Sequence, residues 1–264
     1  MNSVKIDIQK LVDVMAKLRA PDGCPWDREQ DHDTLKRFLI EEAYEVIEAI
    51  ENKDFNHLRE ELGDLLLQVI FHAQVAEENG LFKLQDVIDE IHAKLLRRHP
   101  HVFKDALVNS SRDVEVQWED IKRKEKKDND KERSAIDGVP LAMPSTLQAV
   151  RLTEKASRVG FDWHKIDDVV DKIDEELLEL KDELKTCDKL KIEHELGDLL
   201  FAICNLSRHL NMDPEEVLRK SLIRFRDRFR VMEKIATEKG KNLKDFGLKD
   251  QDLFWEQAKK ILNK

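Results

Sequence analysis

The sequence predicts an all-α fold, laid out as two tandem repeated helical bundles joined by a charged linker. Three observations lead there. Apolar residues recur at helical spacing along nearly the whole chain of 264 residues, with no convincing strand alternation. Charged residues make up 39% and aromatics 6%, with 8 Gly and 6 Pro, so strand formers and turn residues are scarce. One acidic pattern also occurs twice. Glu42-Ala-Tyr-Glu45 followed by Glu61-Leu-Gly-Asp64 returns as Glu176-Leu-Leu-Glu179 and Glu195-Leu-Gly-Asp198. Each of the four carboxylates stands 134 positions before its counterpart, so no residue is gained or lost between them.

The elements follow from the apolar pattern. Ile8, Leu11, Val12, Met15 and Leu18 make a first amphipathic helix, ended by Pro21-Asp-Gly-Cys-Pro25. Leu35, Leu39, Val46, Ile47 and Ile50 mark a second, and Leu58 to Val75 a third. A fourth runs from Leu84 to Leu96 and stops before His99-Pro100, and Val114 to Ile121 begins a fifth. From Arg123 to Arg133 the chain is almost wholly charged, and Pro140 and Pro144 follow; this reads as a solvated linker. The second half repeats the plan with Leu147–Val159, Val169–Leu184, Leu190–Leu210, Glu215–Lys239 and Asp250–Leu262. Asp213-Pro214 is a helix start, Asp as cap and Pro at the first helical position. The expected boundaries are a first domain over 1–122, a linker over 123–144 and a second domain over 145–264.

Bulk properties narrow the function classes. An apolar content of 41% is enough for a globular fold, and each half is long enough to bury a core. A net charge of −10 disfavours nonspecific nucleic-acid binding, so an anionic ligand would need metal ions and local basic residues. Cys24, Cys187 and Cys204 are scattered, without the spacing of a disulfide framework or a zinc site. With no signal-peptide core near the start and no membrane-length apolar run, a soluble cytoplasmic protein is expected.

The carboxylates are placed to meet. Residues three apart share a helix face, so Glu42 pairs with Glu45 and Glu61 with Asp64. Asn52-Lys-Asp54 is a plausible turn, with Glu45 seven residues before it and Glu61 seven after. An antiparallel hairpin would set the pairs at one height, about 10 Å from the turn. Thr186-Cys-Asp188 repeats this between Glu179 and Glu195. Four facing carboxylates cannot all stay ionised without a cation between them, and oxygen-only ligands point to Mg²⁺ or Mn²⁺. Gly63 and Gly197 are expected to allow close helix approach, with Leu65-Leu66 and Leu199-Leu200 packing the core. A lone ExxE is common on solvated helix faces; the apolar flanks and the gap-free repeat favour a metal role.

Basic and aromatic residues repeat as well. Lys94-Leu-Leu-Arg-Arg98 resembles Arg224-Phe-Arg-Asp-Arg228, and Trp118-Glu-Asp-Ile-Lys122 resembles Trp255-Glu-Gln-Ala-Lys259. Cations four apart beside a carboxylate-bound metal would clamp a polyphosphate. A Trp with a Lys one turn later could cover a base or ribose, although from spacing alone core packing is the favoured reading. Together these residues point to metal-assisted attack of water on a phosphoanhydride. His99 and His101, flanking a proline, read as capping or packing residues, Trp26 and Trp163 as packing anchors, and Cys187 and Cys204 as ordinary helix residues.

Glu-Glu-x-x-Glu, Glu-Leu-Gly-Asp-Leu-Leu and the duplicated layout resemble the MazG family of nucleoside triphosphate pyrophosphohydrolases. Gly23-Cys-Pro-Trp-Asp27, Arg97-Arg-His-Pro-His-Val-Phe103 and Val159-Gly-Phe-Asp-Trp163 extend the resemblance over essentially the whole chain. The resemblance implies an all-α, dimer-forming protein that uses Mg²⁺, with Mn²⁺ as a substitute, to cleave NTPs and dNTPs to monophosphate and pyrophosphate. That is housekeeping of the nucleotide pool. It implies Glu176, Glu179, Glu195 and Asp198 as metal ligands, with Glu42, Glu45, Glu61 and Asp64 as a second possible set. It further implies Lys172, Arg224 and Arg228 on the phosphates, Trp255 and Lys259 near the nucleotide, and activity mainly in the second half. Lys172 maps by the 134 offset onto Phe38, so the first half lacks that cation, and Arg224 stands where the family commonly has Lys. Glu175, or Glu41 in the first half, is the candidate to orient the attacking water. The competing readings are a nucleotide- or metal-binding regulatory protein with little turnover, and a helical scaffold whose acid pairs are solvated. Related all-α folds that cleave dUTP or phosphoribosyl-ATP have one domain, and the two-domain length favours MazG.

Overall fold

A computed structural model describes residues 7–104 and 134–262, together with 110, 113, 114, 117, 118, 121 and 125. Among the described residues there is no strand, and the all-α expectation holds. The chain folds as two compact units, Met1–Asp130 and Lys131–Lys264.

In the first unit α1 (Gln9–Arg19) and the short α2 (Pro25–Glu29) lead into two long helices, α3 (His32–Asn52) and α4 (Phe55–Glu78). These two pack along each other as an antiparallel hairpin. Helix α1 lies on α4, as does α5 (Leu84–Arg98), and α6 (Pro100–Phe103) follows α5 and contacts it. Met15, Leu35, Ile70, Phe71 and Val75 form the buried core, with Ile8, Val12, Leu18, Phe38 and Leu84 against it. The α1–α2 turn is fixed by Arg19, whose nearly buried guanidinium binds Glu78 at 2.7 Å and the Gln30 carbonyl at 3.0 Å.

Short side chains decide where the hairpin helices begin and end. Asp31 Oδ1 accepts from the Asp33 and Thr34 amides, and Thr34 Oγ1 accepts in return from the Asp31 amide, closing a capping box on α3. Helix α3 stops at Lys53, which is left-handed with φ 55°, and Asp54 at once caps α4 through the Asn56 and His57 amides.

The second unit repeats the device. It comprises α7 (Ser145–Ser157), α8 (Ile166–Thr186), α9 (Lys189–His209), α10 (Pro214–Glu238), a 3₁₀ turn (Leu243–Asp245) and α11 (Leu248–Leu262). Helices α8 and α9 form the hairpin, joined by left-handed Cys187 (φ 57°) and the cap Asp188, at the positions equivalent to Lys53 and Asp54. Helix α7 packs on α9, and α10 pairs with α11 around Met232, Ala236, Phe254 and Ala258.

The structure differs from the expectations in several particulars. The two proline-led stretches expected as breaks each start a short helix of their own, α2 and α6, because Pro is well placed at the first helical position. Cys187 is a helix end rather than an ordinary helix residue. Gly63 and Gly197 do not serve a close approach: both are exposed, and a Cβ on either would meet open space. They lie on the outward face of their hairpins, beside the exposed Leu62 and Leu196. Of the expected linker over 123–144, residues 123, 124 and 126–133 lie outside the described residues. Glu125 pairs with Arg97 and Arg98 of the first unit. Of the expected helix over 114–121, residues 114, 117, 118 and 121 are helical and the rest lie outside the described residues.

A non-glycine residue in the left-handed region costs roughly 1–2 kcal/mol, part of which glycine returns as unfolded-state entropy. Cys187→Gly is therefore expected to raise stability by about 0.5 kcal/mol, and Asp188→Ala to lower it by about 1 kcal/mol. Urea unfolding of the two variants checks both signs.

Candidate metal centre

The two tight turns set facing carboxylates at one height in each hairpin. In the first unit Glu42 and Glu45 project from α3, and Glu61 and Asp64 from α4. Ligand oxygens of Glu42, Glu45 and Glu61 all lie within 4.8 Å of one another. Glu61 is buried, and its Oε1 lies 2.8 Å from His57 Nε2, one turn back along α4. Burial holds the Glu42 carboxyl above its ordinary range, and the neighbouring Asp64, Glu45 and Glu61 push it the same way. Glu61 is raised too, by burial and then by Glu45, with His57 partly opposing.

In the second unit Glu175, Glu176 and Glu179 come from α8, and Glu195 and Asp198 from α9. Oxygens of Glu176, Glu179 and Glu195 again lie within 4.8 Å of one another. Glu176 is only 6% exposed and is met by Lys172, whose Nζ lies 2.7 Å from Glu176 Oε1 and 2.8 Å from Glu175 Oε1. Those two bonds raise the lysine pKa, so the ammonium stays charged. Glu179 is held above the usual carboxylate range by burial and by Glu176, Glu195 and Glu175. Glu195 Oε2 is buried and has no hydrogen-bond partner.

An unpartnered buried carboxylate oxygen is costly, and carboxylates with raised pKa values repel one another when ionised. Both signs have one remedy, a hard cation among the oxygens. The oxygens brought together fit a divalent ion: those of Glu176, Glu179 and Glu195 in one half, and of Glu42, Glu45 and Glu61 in the other, with Asp198 and Asp64 one turn beyond Glu195 and Glu61.

The other candidates fall into a separate group. Arg224 and Arg228 are four apart on α10, and the Arg228 guanidinium sits 5.7 Å over the Trp255 ring on α11. Trp255 also lies 5.4 Å from the Phe225 ring and packs against the Met232–Phe254 core, so it serves core and cation at once. Lys259, one turn on, pairs with Glu256 at 2.5 Å. Helix α10 packs chiefly on α11 and only slightly on α7 and α9. The structure thus joins Lys172 to the carboxylates and carries Arg224, Arg228, Trp255 and Lys259 on a different helix pair of the same unit.

Sequence reasoning missed His194. Its Nδ1 lies 3.1 Å from Asp198 Oδ2 and 3.5 Å from Glu195 Oε1. The signal was available, since His194 precedes Asp198 by one helical turn and adjoins Glu195. At the place of Lys172 the first unit has Phe38, which packs on Trp26 at 5.6 Å under the Arg37 guanidinium. His99 and His101 bond to Leu95 O and Gln117 Oε1, in line with capping and packing.

Two helical hairpins, each bringing three glutamates of facing helices together beyond a two-residue turn, define a class of all-α proteins built on a duplicated acidic hairpin. The family model described as the MazG nucleotide pyrophosphohydrolase domain matches this chain twice, over residues 30–103 and 165–244. Both hairpins fall within those matches. The chain belongs to that family. It is 48% identical over 259 residues to the nucleoside triphosphate pyrophosphohydrolase/pyrophosphatase MazG of Thermotoga maritima, covering 98% of each chain. It is 42% identical over 256 residues to the nucleoside triphosphate pyrophosphohydrolase of Escherichia coli strain K12, covering 96% of this chain and 97% of that one. The uncharacterized protein YabN of Bacillus subtilis strain 168 is 45% identical over 247 residues, 93% of this chain and 50% of that protein.

A group whose folded pKa is raised stabilises the fold while protonated and loses that contribution as pH rises through the folded value. Glu42→Gln should therefore raise the melting temperature of the metal-free protein at pH 8. At pH 4, below the ordinary value of 4.5, the change should nearly vanish because wild-type Glu42 is itself protonated. Thermal melts in chelator at the two pH values check this.

Proposed function

We propose that the chain is a Mg²⁺-dependent nucleoside triphosphate pyrophosphohydrolase, cleaving NTPs and dNTPs to the monophosphate and pyrophosphate, mainly in its second half. The observation that carries this reading is the lysine-buttressed carboxylate cluster of Glu176, Glu179 and Glu195, with Asp198 one turn beyond Glu195, in a chain matching pyrophosphohydrolases over nearly its whole length. Mg²⁺, or Mn²⁺ in its place, would supply charge neutralisation on the phosphate oxygens and a more acidic water.

The chain's own residues do the rest. Lys172 keeps the α8 carboxylates in place and offers its ammonium to a phosphate oxygen. Glu175, more exposed than Glu176 and tied to Lys172 on one oxygen, orients the attacking water and accepts its proton. Arg224 and Arg228 neutralise the outer phosphates, while Trp255, under Arg228, and Lys259 bound the nucleoside end.

Several further parts belong to the proposal. Leu196, Leu200 and Ile203 on α9, and Leu222, Phe225 and Phe229 on α10, are exposed within the chain, which favours self-association as a dimer. The reading includes nucleotide-pool housekeeping in the cytoplasm, in keeping with three free cysteines. For the first half, Phe38 in place of Lys172 favours a second reading: metal or nucleotide binding with little turnover.

Product analysis with a panel of NTPs and dNTPs tests the reaction. Monophosphate with pyrophosphate, formed only with divalent metal, is expected; diphosphate with orthophosphate would sink the proposal. Glu195→Gln should lower kcat/KM by at least about 100-fold, the upper end for losing a mere supporting partner of a metal ligand. Glu61→Gln should lower it far less, and an equal loss would place catalysis in both halves.

A further inference from the structure

Glu195 belongs to two groups of ligand atoms. It lies with Glu176 and Glu179 in one and with His194 and Asp198 in the other, the atoms of each group within 4.8 Å of one another. The groups differ in chemistry. The first offers carboxylate oxygens alone, whereas the second adds an imidazole nitrogen, His194 Nδ1, 3.1 Å from Asp198 Oδ2. Glu195 presents Oε1 to His194 at 3.5 Å and keeps Oε2 buried without a partner. Two oxygens in two such surroundings suit a carboxylate shared between cations.

Charge divides the same way. Lys172 compensates Glu175 and Glu176 on α8. On α9, among the described residues, the recorded ion pairs of Glu195 and Asp198 are with His194 alone. The first half has no equivalent: Glu60 stands at the position of His194, and its described ligand group is the oxygen-only set of Glu42, Glu45 and Glu61.

We propose that the second half takes two divalent ions sharing Glu195, with His194 Nδ1 as a nitrogen ligand to the second. The proposal rests on the metal reading given under the proposed function and adds a position and a selectivity to it. An imidazole nitrogen suits first-row transition ions better than the hard Mg²⁺, so the His194 position prefers a transition ion, with Mn²⁺ the weakest case, while the oxygen-only set accepts Mg²⁺. The His194 side chain is 73% exposed, which leaves this position open to exchange with solvent.

The test is Mn²⁺ titration of the full chain, followed by electron paramagnetic resonance with spin-echo modulation to detect ¹⁴N bound to the ion. Nitrogen coupling is expected in the wild type and in His57→Ala, and should be lost in His194→Ala together with one bound ion per chain. Added Mg²⁺ should displace the uncoupled Mn²⁺ before the nitrogen-coupled Mn²⁺. Bound Mn²⁺ without nitrogen coupling, or coupling that survives His194→Ala, would overturn the role of His194 and leave the carboxylate site standing. Equal displacement of both ions by Mg²⁺ would overturn the selectivity. Failure to bind Mn²⁺ at all would overturn the underlying metal reading as well.

Discussion

Mutual repulsion among clustered carboxylates, one of them buried in each hairpin, is the constraint around which each unit is organised. Left to themselves, Glu42, Glu45 and Glu61 would separate, swell the hairpin or take up protons. They stay in contact because the helices bearing them are pinned by a two-residue turn and capped on its far side. The same holds for Glu176, Glu179 and Glu195 beyond Cys187 and Asp188. Hairpin packing therefore stores an unfavourable arrangement, and a divalent cation would relieve it. In the proposed reading, fold stability and affinity for metal are two faces of one balance.

Much of this was legible in the sequence. Equal counts of seven residues on either side of Asn52–Asp54 and Thr186–Asp188 place the acid pairs opposite each other, and the structure puts both turns there. Helix ends at Asp54, Asp188 and Asp213 follow from local capping chemistry that needs no tertiary context. Less legible was anything set by what faces what. Gly63 and Gly197 read as contact points because small residues often mark them, yet both face outward. His194 has Glu60 as its counterpart in the first half, so the repeat that singles out the carboxylates passes over it, although its place beside Glu195 and one turn before Asp198 is in the sequence. The division of the second unit between the carboxylate hairpin and the α10–α11 pair also depends on packing that spacing does not encode.

The two halves differ most at the place of Lys172 and beside the acid pairs. Phe38 and Trp26 give the first half an aromatic wall at the position where the second has an ammonium between two glutamates. His57 meets Glu61 in the first half, whereas His194 reaches toward Asp198 in the second. Near-identical acidic scaffolds thus carry different auxiliary charges.

The opposite ends of the hairpins tell a different story. Arg19, from α1, grips Glu78 at the end of α4, while Arg208, at the end of α9, reaches back to Asp162 before α8. The residue equivalent to Arg208 is Gln74, and that equivalent to Asp162 is Arg28, so neither clamp was copied from the other. The turn-proximal ends share one geometry, whereas each open end is held by an arginine–carboxylate fastener built from different positions. A splayed hairpin end is a mechanical weakness of the shared blueprint, and each copy has mended it on its own.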